Sequence, residues 1–476
     1  MEKKKLEFKG GWVTAFVPVI IFLVFCIYYF VINQAFEMYA LVMGAFVALL
    51  VGALLTKTKE NYTNFWDAVY EGSKESIPVV VLLFEIGMFS ALIKACGVSN
   101  GFVWLGQTLG VSGGLFTAFT FLAVCIIATA TGSSIGTMFT CFPIFYPAGI
   151  LMGCTPAILA GAIVSGAVFG DNLAPISDTT IISAGTQEYK DGRRADVGGC
   201  VATRLKYSLV GGAIAFVLYW ILGGNGVVGV GGSDYLAGMS PLPLIMLVDV
   251  VVMLLVAVKT GDIYKATTVG LVLGTVIALA AGLLTPEGVI SVNNGTPAGY
   301  LTDGINGMMS TTVLVVGVYG IMGVLNAAGA LDRITDAIAH SKLGNTVVGT
   351  EIAMMLGVSI TTFFFAGVTS ASMATFGKIQ NELGKKAGLH PYRRANLLDG
   401  FANSIPVCIP FLSAFVFIGA TCSQGYDIVA PLSTAQVASG MLYNYILFFV
   451  LLASVLTGWG RIFEGKDGKP TKEKPE

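Results

Sequence analysis

At 476 residues, 55% hydrophobic and 12% charged with a mean hydropathy of +0.79, the chain is too apolar for a soluble protein of two or three domains and reads as a polytopic membrane protein. A net charge of −1 leaves no basic surface to neutralise phosphates, which excludes a nucleic-acid partner. The eight cysteines are scattered, mostly in apolar segments, without a CxxC pair, and read as small core residues.

Met1 to Gly10 is basic and precedes an apolar run, Trp12 to Ile32, with no small-residue cleavage site, so the run is read as a first span and not as a cleaved signal. Further stretches long enough to cross the hydrocarbon core lie near 38–56 and 77–95. An apolar, Gly/Ser/Thr-tipped stretch at 113–152 reads as a re-entrant hairpin, and an interrupted span follows at 156–184. Spans near 207–223, 241–258, 266–285 and 309–328 come next, then a second hairpin at 346–383, a second interrupted span at 395–424 and a last span at 432–459. The fold class expected is an all-α polytopic membrane protein of about ten transmembrane helices plus two re-entrant hairpins. Loops 96–112, 225–240 and 286–308 contain no Lys or Arg, whereas the remaining loops are basic, which places both termini in the cytoplasm. The first hairpin then enters from outside and the second from inside. The charged tail Gly465 to Glu476 is expected to be disordered.

The chain repeats itself weakly. Gly52 to Thr56 resembles Gly282 to Thr285, Asp67 to Gly72 resembles Asp303 to Gly307, Leu92 to Gly97 resembles Leu325 to Gly329, Gly132 aligns with Gly367 and Asp171 with Asp399. An odd number of crossings per copy makes the second copy upside down. Residues 1–230 and 231–460 therefore form two inverted repeats, with 461–476 a cytoplasmic tail, a plan that puts a transporter's site at the midplane where broken helices meet.

Those breaks hold the candidate site. Phe169 to Gly185 is polar within an apolar span and carries Asp171, Asn172, Pro175, Ser177, Asp178, Thr179 and Thr180. Intramembrane acids and a Pro are tolerated only beside a cavity or other protein. The first hairpin tip offers Thr131, Ser133 and Ser134, and the second Thr369 and Ser370. The second break offers Asp399, Asn403 and Ser404. Hard cations take oxygen ligands, so freed carbonyls, hydroxyls and a carboxylate suit sodium, with Asp171, Asn172 and Asp178 the expected ligands. Half-helix N-termini in the same places attract an anion. Asp178 aligns with Pro406, so only the first break has two carboxylates, one of which can hold a proton until a cation displaces it. Sequence alone does not choose between Asp171 and Asp178.

Each reading has a plainer rival. The 171–180 segment also suits a capped structural break, the tip residues also suit close helix packing, and Asp399 also suits an ion pair with Arg393 or Arg394. Glu85, alone in mid-span, is either an additional coupling or substrate-amine site or one end of an interhelical hydrogen bond. Asp249, whose repeat counterpart near Val19 has no acid, reads as local and structural. His340 and His390 fall in basic loops and are not read as proton relays.

The run Gly170-Asp171-Asn172-Leu173-Ala174-Pro175-Ile176-Ser177-Asp178-Thr179-Thr180 closely resembles the signature of the NhaC family of sodium/proton antiporters, within the ion transporter superfamily. The Thr131 to Thr137 tip, the 185–206 loop and Gly388-Leu389-His390-Pro391 extend the resemblance over most of the chain. It implies ion-coupled secondary transport in a cell membrane with lipid, sodium and protons as partners, sodium as the transported or coupling ion, and no other cofactor. Relatives that exchange malate and lactate or carry amino acids leave a small organic acid or amino acid as the alternative substrate, and a homodimer is compatible with such carriers. Many antiporter-like members read Ser-Pro-Leu-Ser-Asp, whereas here position 174 is Ala and 176 is Ile. An intramembrane hydrolase is disfavoured because no HExxH, GxSxG or embedded His exists. A channel is disfavoured because inverted repeats with discontinuous helices are the build of carriers.

Overall fold

The computed structural model describes residues 6–33, 38–74, 76–224, 240–260, 262–330, 333, 337, 342–424, 426 and 428–473. The expected boundary between the halves at 230/231 and His340 lie outside the described residues.

The first half runs α1 (Val17–Cys26), α2 (Met38–Leu54), α3 (Lys59–Lys74), α4 (Ile77–Ala95), α5 (Val98–Leu109), α6 (Gly113–Thr131), α7 (Ser134–Leu151), α8 (Pro156–Leu173), α9 (Asp178–Gly185) and α10 (Val197–Leu222). The second runs α11 (Met246–Thr260), α12 (Ile263–Ala280), α13 (Tyr300–Ala327), α14 (Val347–Phe364), α15 (Thr369–Ala387), α16 (Pro391–Ala402), α17 (Ala414–Cys422), α18 (Thr434–Gly440) and α19 (Leu442–Thr457). From α6 and α14 onward the halves follow a similar order: two helices joined at a tight tip, a broken pair, then the long α10 in the first half and the bent pair α18 and α19 in the second. Where the halves meet, α4 and α13 approach so closely that a Cβ on Gly87 would lie 2.6 Å from the Gly304 carbonyl oxygen, a contact only glycine allows.

Eight helices among the described residues are long and apolar enough to span a bilayer, and α18 with α19 gives a ninth. Three of the eight, α6, α7 and α14, belong to the expected hairpins. Burial separates an inner set from an outer one: 89% of α7 is buried inside the protein against 33% of α4, so α4 turns its remaining apolar surface outward, as a helix facing lipid does. The tips follow from local chemistry. Gly132, left-handed at φ 64°, ends α6, and the Ser133 hydroxyl accepts from the Gly136 amide to start α7.

Four expectations are corrected. The segment 96–112 is not a loop but contains α5, and the loop expected at 286–308 holds the hairpin β1 (Ser291–Asn293) and β2 (Thr296–Ala298) and the start of α13. The span at 432–459 bends by 52° between α18 and α19. There a Cβ on Gly161 would sit 1.9 Å from the Gly440 carbonyl carbon, and Tyr219 Oη donates to the Gly440 carbonyl while accepting from the Leu442 amide, which satisfies the interrupted backbone. The described part of the tail, to Glu473, is structured: β3 (Phe463–Glu464) pairs with β4 (Pro470–Thr471), the Glu464 amide donates to the Gly388 carbonyl, and the buried Glu464 carboxylate accepts from the Lys190 amide at 2.8 Å.

Candidate functional site

The break between α8 and α9 arises where Pro175 cannot donate to a helical ladder and Ser177 caps the next helix, accepting from the Thr179 amide at 3.2 Å. This strands Asp171 at the end of α8, 6% exposed. One of its oxygens accepts from Ser177 Oγ at 2.5 Å and the other from Ser134 Oγ of the first hairpin tip at 3.0 Å. Thr179 Oγ1 lies 2.8 Å from Ser177 Oγ, and Thr131 Oγ1 lies 3.0 Å from Thr137 Oγ1 across the tip. Asp171 thus has hydroxyl partners and, among the described residues, no ion pair.

A cavity of about 630 Å³ opens beside it. Both hairpin tips reach it, Thr131, Ser133 and Ser134 from one half and Thr369 and Ser370 from the other, as do Asp171, Thr179 and the exposed Asp178. Asp262, which caps α12 by accepting from the Lys265 amide, also lines it. No Lys, Arg or His is among its described lining residues.

The second break forms a different centre. Asp399, fully buried on α16, is paired with Arg204 of α10 at 2.6 Å and also accepts from Asn172 at 2.6 Å, Asn403 at 2.8 Å and Ser183 at 3.0 Å. The Arg204 guanidinium, 1% exposed, donates further to the Asn172 carbonyl at 2.6 Å, to Ser183 Oγ and to Asn396 Oδ1. Ser208 donates to Asn172 Oδ1, and Asn444 carries the network to the Asn403 carbonyl. Four charge-assisted or amide donors on one carboxylate make this a saturated, rigid knot.

The expected residues are therefore divided. Asp171, Ser177, Asp178, Thr179 and both tips converge. Asn172, expected beside the ion, turns the other way because its side chain bridges Asp399 and Ser208. Asp399, Asn403 and Ser404 do not reach the cavity, and Ser404 Oγ donates to the Phe401 carbonyl at 2.7 Å. Asp399 does form an ion pair, but with Arg204. Arg393 instead binds Glu351 at 2.8 Å, and Arg394 lies 4.0 Å from Glu464. Element order matches Asp178 at the start of α9 to Ala414 at the start of α17, not to Pro406, because the second break is longer. Glu85 accepts from Thr267 Oγ1 of α12 at 2.6 Å, the interhelical hydrogen bond. Asp249 is wholly buried, with no hydrogen-bond partner for either oxygen among the described residues. Among the described residues no group of three or more His, Cys, Asp or Glu side chains is arranged to hold a metal ion.

Arg204 was the residue missed. It lies in the basic stretch 185–206, yet α10 begins at Val197, so Arg204 stands two turns inside a helix that is otherwise apolar toward its C-terminus. A single Arg at that depth was the available signal.

The sequence matches the family model described as "Na+/H+ antiporter family" over residues 6–223 and 234–459. The "Malate-2H(+)/Na(+)-lactate antiporter" of Bacillus subtilis is 24% identical over 336 residues, covering 67% of this chain and 70% of that protein. The "Na(+)/H(+) antiporter NhaC" of Alkalihalophilus pseudofirmus is 23% identical over 448 residues, 88% of this chain and 90% of its own. The "Arginine/ornithine antiporter ArcD" of Halobacterium salinarum is 27% identical over 321 residues, 61% and 63%.

Proposed function

The chain belongs to the Na+/H+ antiporter family, and we propose that it exchanges sodium for protons by alternating access with Asp171 as the acid that holds the proton. One observation carries this: the acids that close α8 and α16 before the two breaks are unequal. Asp399 already has a fixed counter-charge in Arg204, whereas Asp171 is held, among the described residues, by the hydroxyls of Ser134 and Ser177 and opens on a cavity whose described lining carries no Lys, Arg or His. A carboxylate without a fixed counter-charge in a low-dielectric site binds either a proton or a cation. A hydroxyl that donates to the carboxylate can turn a lone pair to a hard cation, so Ser134, Ser177 and Thr179 join Asp171 and Asp178 as oxygen ligands for sodium. Asn172 then acts as the tie between this site and the Asp399–Arg204 knot.

In this reading the protein lies in the cell membrane with both termini cytoplasmic, its halves dividing near residue 230. The experiment is proton release from proteoliposomes on adding sodium, with wild type beside Asp171→Asn. Sodium-driven flux that is lost in the variant supports the proposal, and absence of flux from the wild type sinks it. A second reading, ion-coupled exchange of a small organic acid or amino acid, is favoured by one observation: about 630 Å³ exceeds what a single ion needs and falls in the range of small-molecule pockets.

A further inference from the structure

The cavity has its mouth where Pro78 and Asp178 are exposed and Ile176 is 40% exposed. Asp262, on the same rim, lies between Lys259 and Lys265, the basic pattern of a cytoplasmic end. From the cavity, α4 leaves after Leu83, α7 after Ile135 and α17 after Ile418, all toward the opposite face of the membrane. α13 runs against α4 and reaches the cavity at Val315. Beyond these residues the four helices close on one another, with Ile86, Phe142 and Met308 joining Leu83 and Ile418 in one buried apolar core. At about 1.5 Å of rise per residue, Lys94 and Tyr146 each stand about 16 Å past the last cavity residue of their helices.

At that depth the core ends on an aromatic layer. The Tyr146 ring, wholly buried, lies 5.8 Å from that of Phe142 and 5.8 Å from that of Tyr426, which follows α17. Lys94, exposed at the end of α4, holds its ammonium 4.9 Å from the centre of the Tyr426 ring, a contact that joins the first half of the chain to the second. A second observation belongs to the same layer: Tyr146 Oη has no hydrogen-bond partner among the described residues. A buried phenol without a partner destabilises the packed arrangement, and water reaching it restores the bond. The seal is held by ring packing and cation–π attraction and opposed by one stranded hydroxyl, the balance that a closure able to reopen requires.

We propose that Tyr146, Tyr426 and Lys94 form a gate on the membrane face opposite the cavity mouth, closed in this structure, and that hydration of the Tyr146 hydroxyl favours its open form. The gate rests on the alternating-access reading and holds whichever ion or solute is carried.

The test uses full-length purified protein and the rate at which a charged maleimide alkylates Cys422, which lies one turn past Ile418 and packs against the same core, read peptide by peptide in a mass spectrometer. Cys26, wholly buried in α1, reports unfolding. Two conservative variants push in opposite directions. Tyr146→Phe removes the stranded hydroxyl and keeps the ring, so it melts no lower than the wild type while Cys422 reacts roughly threefold more slowly or less. Sodium-driven proton exchange in proteoliposomes slows with it. Lys94→Met keeps the length of an exposed side chain, removes the cation over Tyr426 and speeds Cys422 alkylation about two- to fivefold, with Cys26 unmoved. A Cys422 rate that either variant leaves unchanged or moves the other way overturns the gate, as does exchange by Tyr146→Phe as fast as that of the wild type. Absence of exchange from the wild type sinks the exchange reading separately, and the alkylation rates still decide the gate.

Discussion

Replacing Arg204 by Met tests whether the Asp399 knot is structural. The substitution keeps most of the side-chain volume and removes the guanidinium that contacts Asp399, the Asn172 carbonyl, Ser183 and Asn396. Asn172, Asn403 and Ser183 still donate to Asp399, but no counter-charge remains. Removing one partner of a buried ion pair costs about 3–5 kcal/mol, and part is recovered if the carboxyl takes up a proton. The knot joins α8, α9, α10 and α16, so the loss is felt as global instability. The assay is thermal melting of the purified protein in one detergent, comparing wild type, Arg204→Met, and the double variant Arg204→Met with Asp399→Leu. The single variant melts well below wild type, and the double variant recovers much of the loss because the orphaned charge is gone. A single variant that melts with the wild type refutes the reasoning. So does a double variant less stable than the single one.

Three further outcomes follow from particular contacts. Gly161→Ala, which drives a methyl into the Gly440 backbone, destabilises by about 1–3 kcal/mol or more, read as a lower melting temperature, whereas Gly185→Ala meets no neighbour and melts closer to the wild type. Thr267→Val removes the hydroxyl that Glu85 accepts from, so it lowers stability by roughly 1–3 kcal/mol while leaving sodium-driven exchange in place; loss of exchange at normal stability would make Glu85 a coupling group. His390, which faces Glu464, Arg394, Asp196 and Tyr189, is held by burial below its ordinary pKa. The unfolded chain then binds the proton more readily, so this contribution is full above about pH 6.5 and is lost as pH falls below it. Melting temperature measured across that range falls less steeply in His390→Gln, and an unchanged slope contradicts the assignment.

The polar break at 171–180 was legible because acids and a Pro in an apolar span have few stable uses, and both tips were legible from glycine beside hydroxyls. Partner choice was not. Nothing in the spacing reveals that Asn172 faces Asp399 while its neighbour Asp171 faces the cavity, since adjacent helical residues point about 100° apart and the fold decides which side is wet. Arg393 and Arg394 are nearer to Asp399 in sequence than Arg204 is, yet Glu351 and Glu464 claim them. The tail read as disordered by composition, but Glu464 and the paired strands β3 and β4 tie it to Gly388 and Lys190, contacts that only tertiary structure provides. The bend at Gly440 likewise depends on Gly161, far away in the chain.

The most direct measurement is calorimetric titration of sodium into the purified protein in two buffers of different ionisation enthalpy, for wild type and Asp171→Asn. The difference between buffers counts protons released as sodium binds. The account predicts proton release from the wild type that disappears in Asp171→Asn. Sodium binding without proton release, or release that persists in the variant, would contradict it.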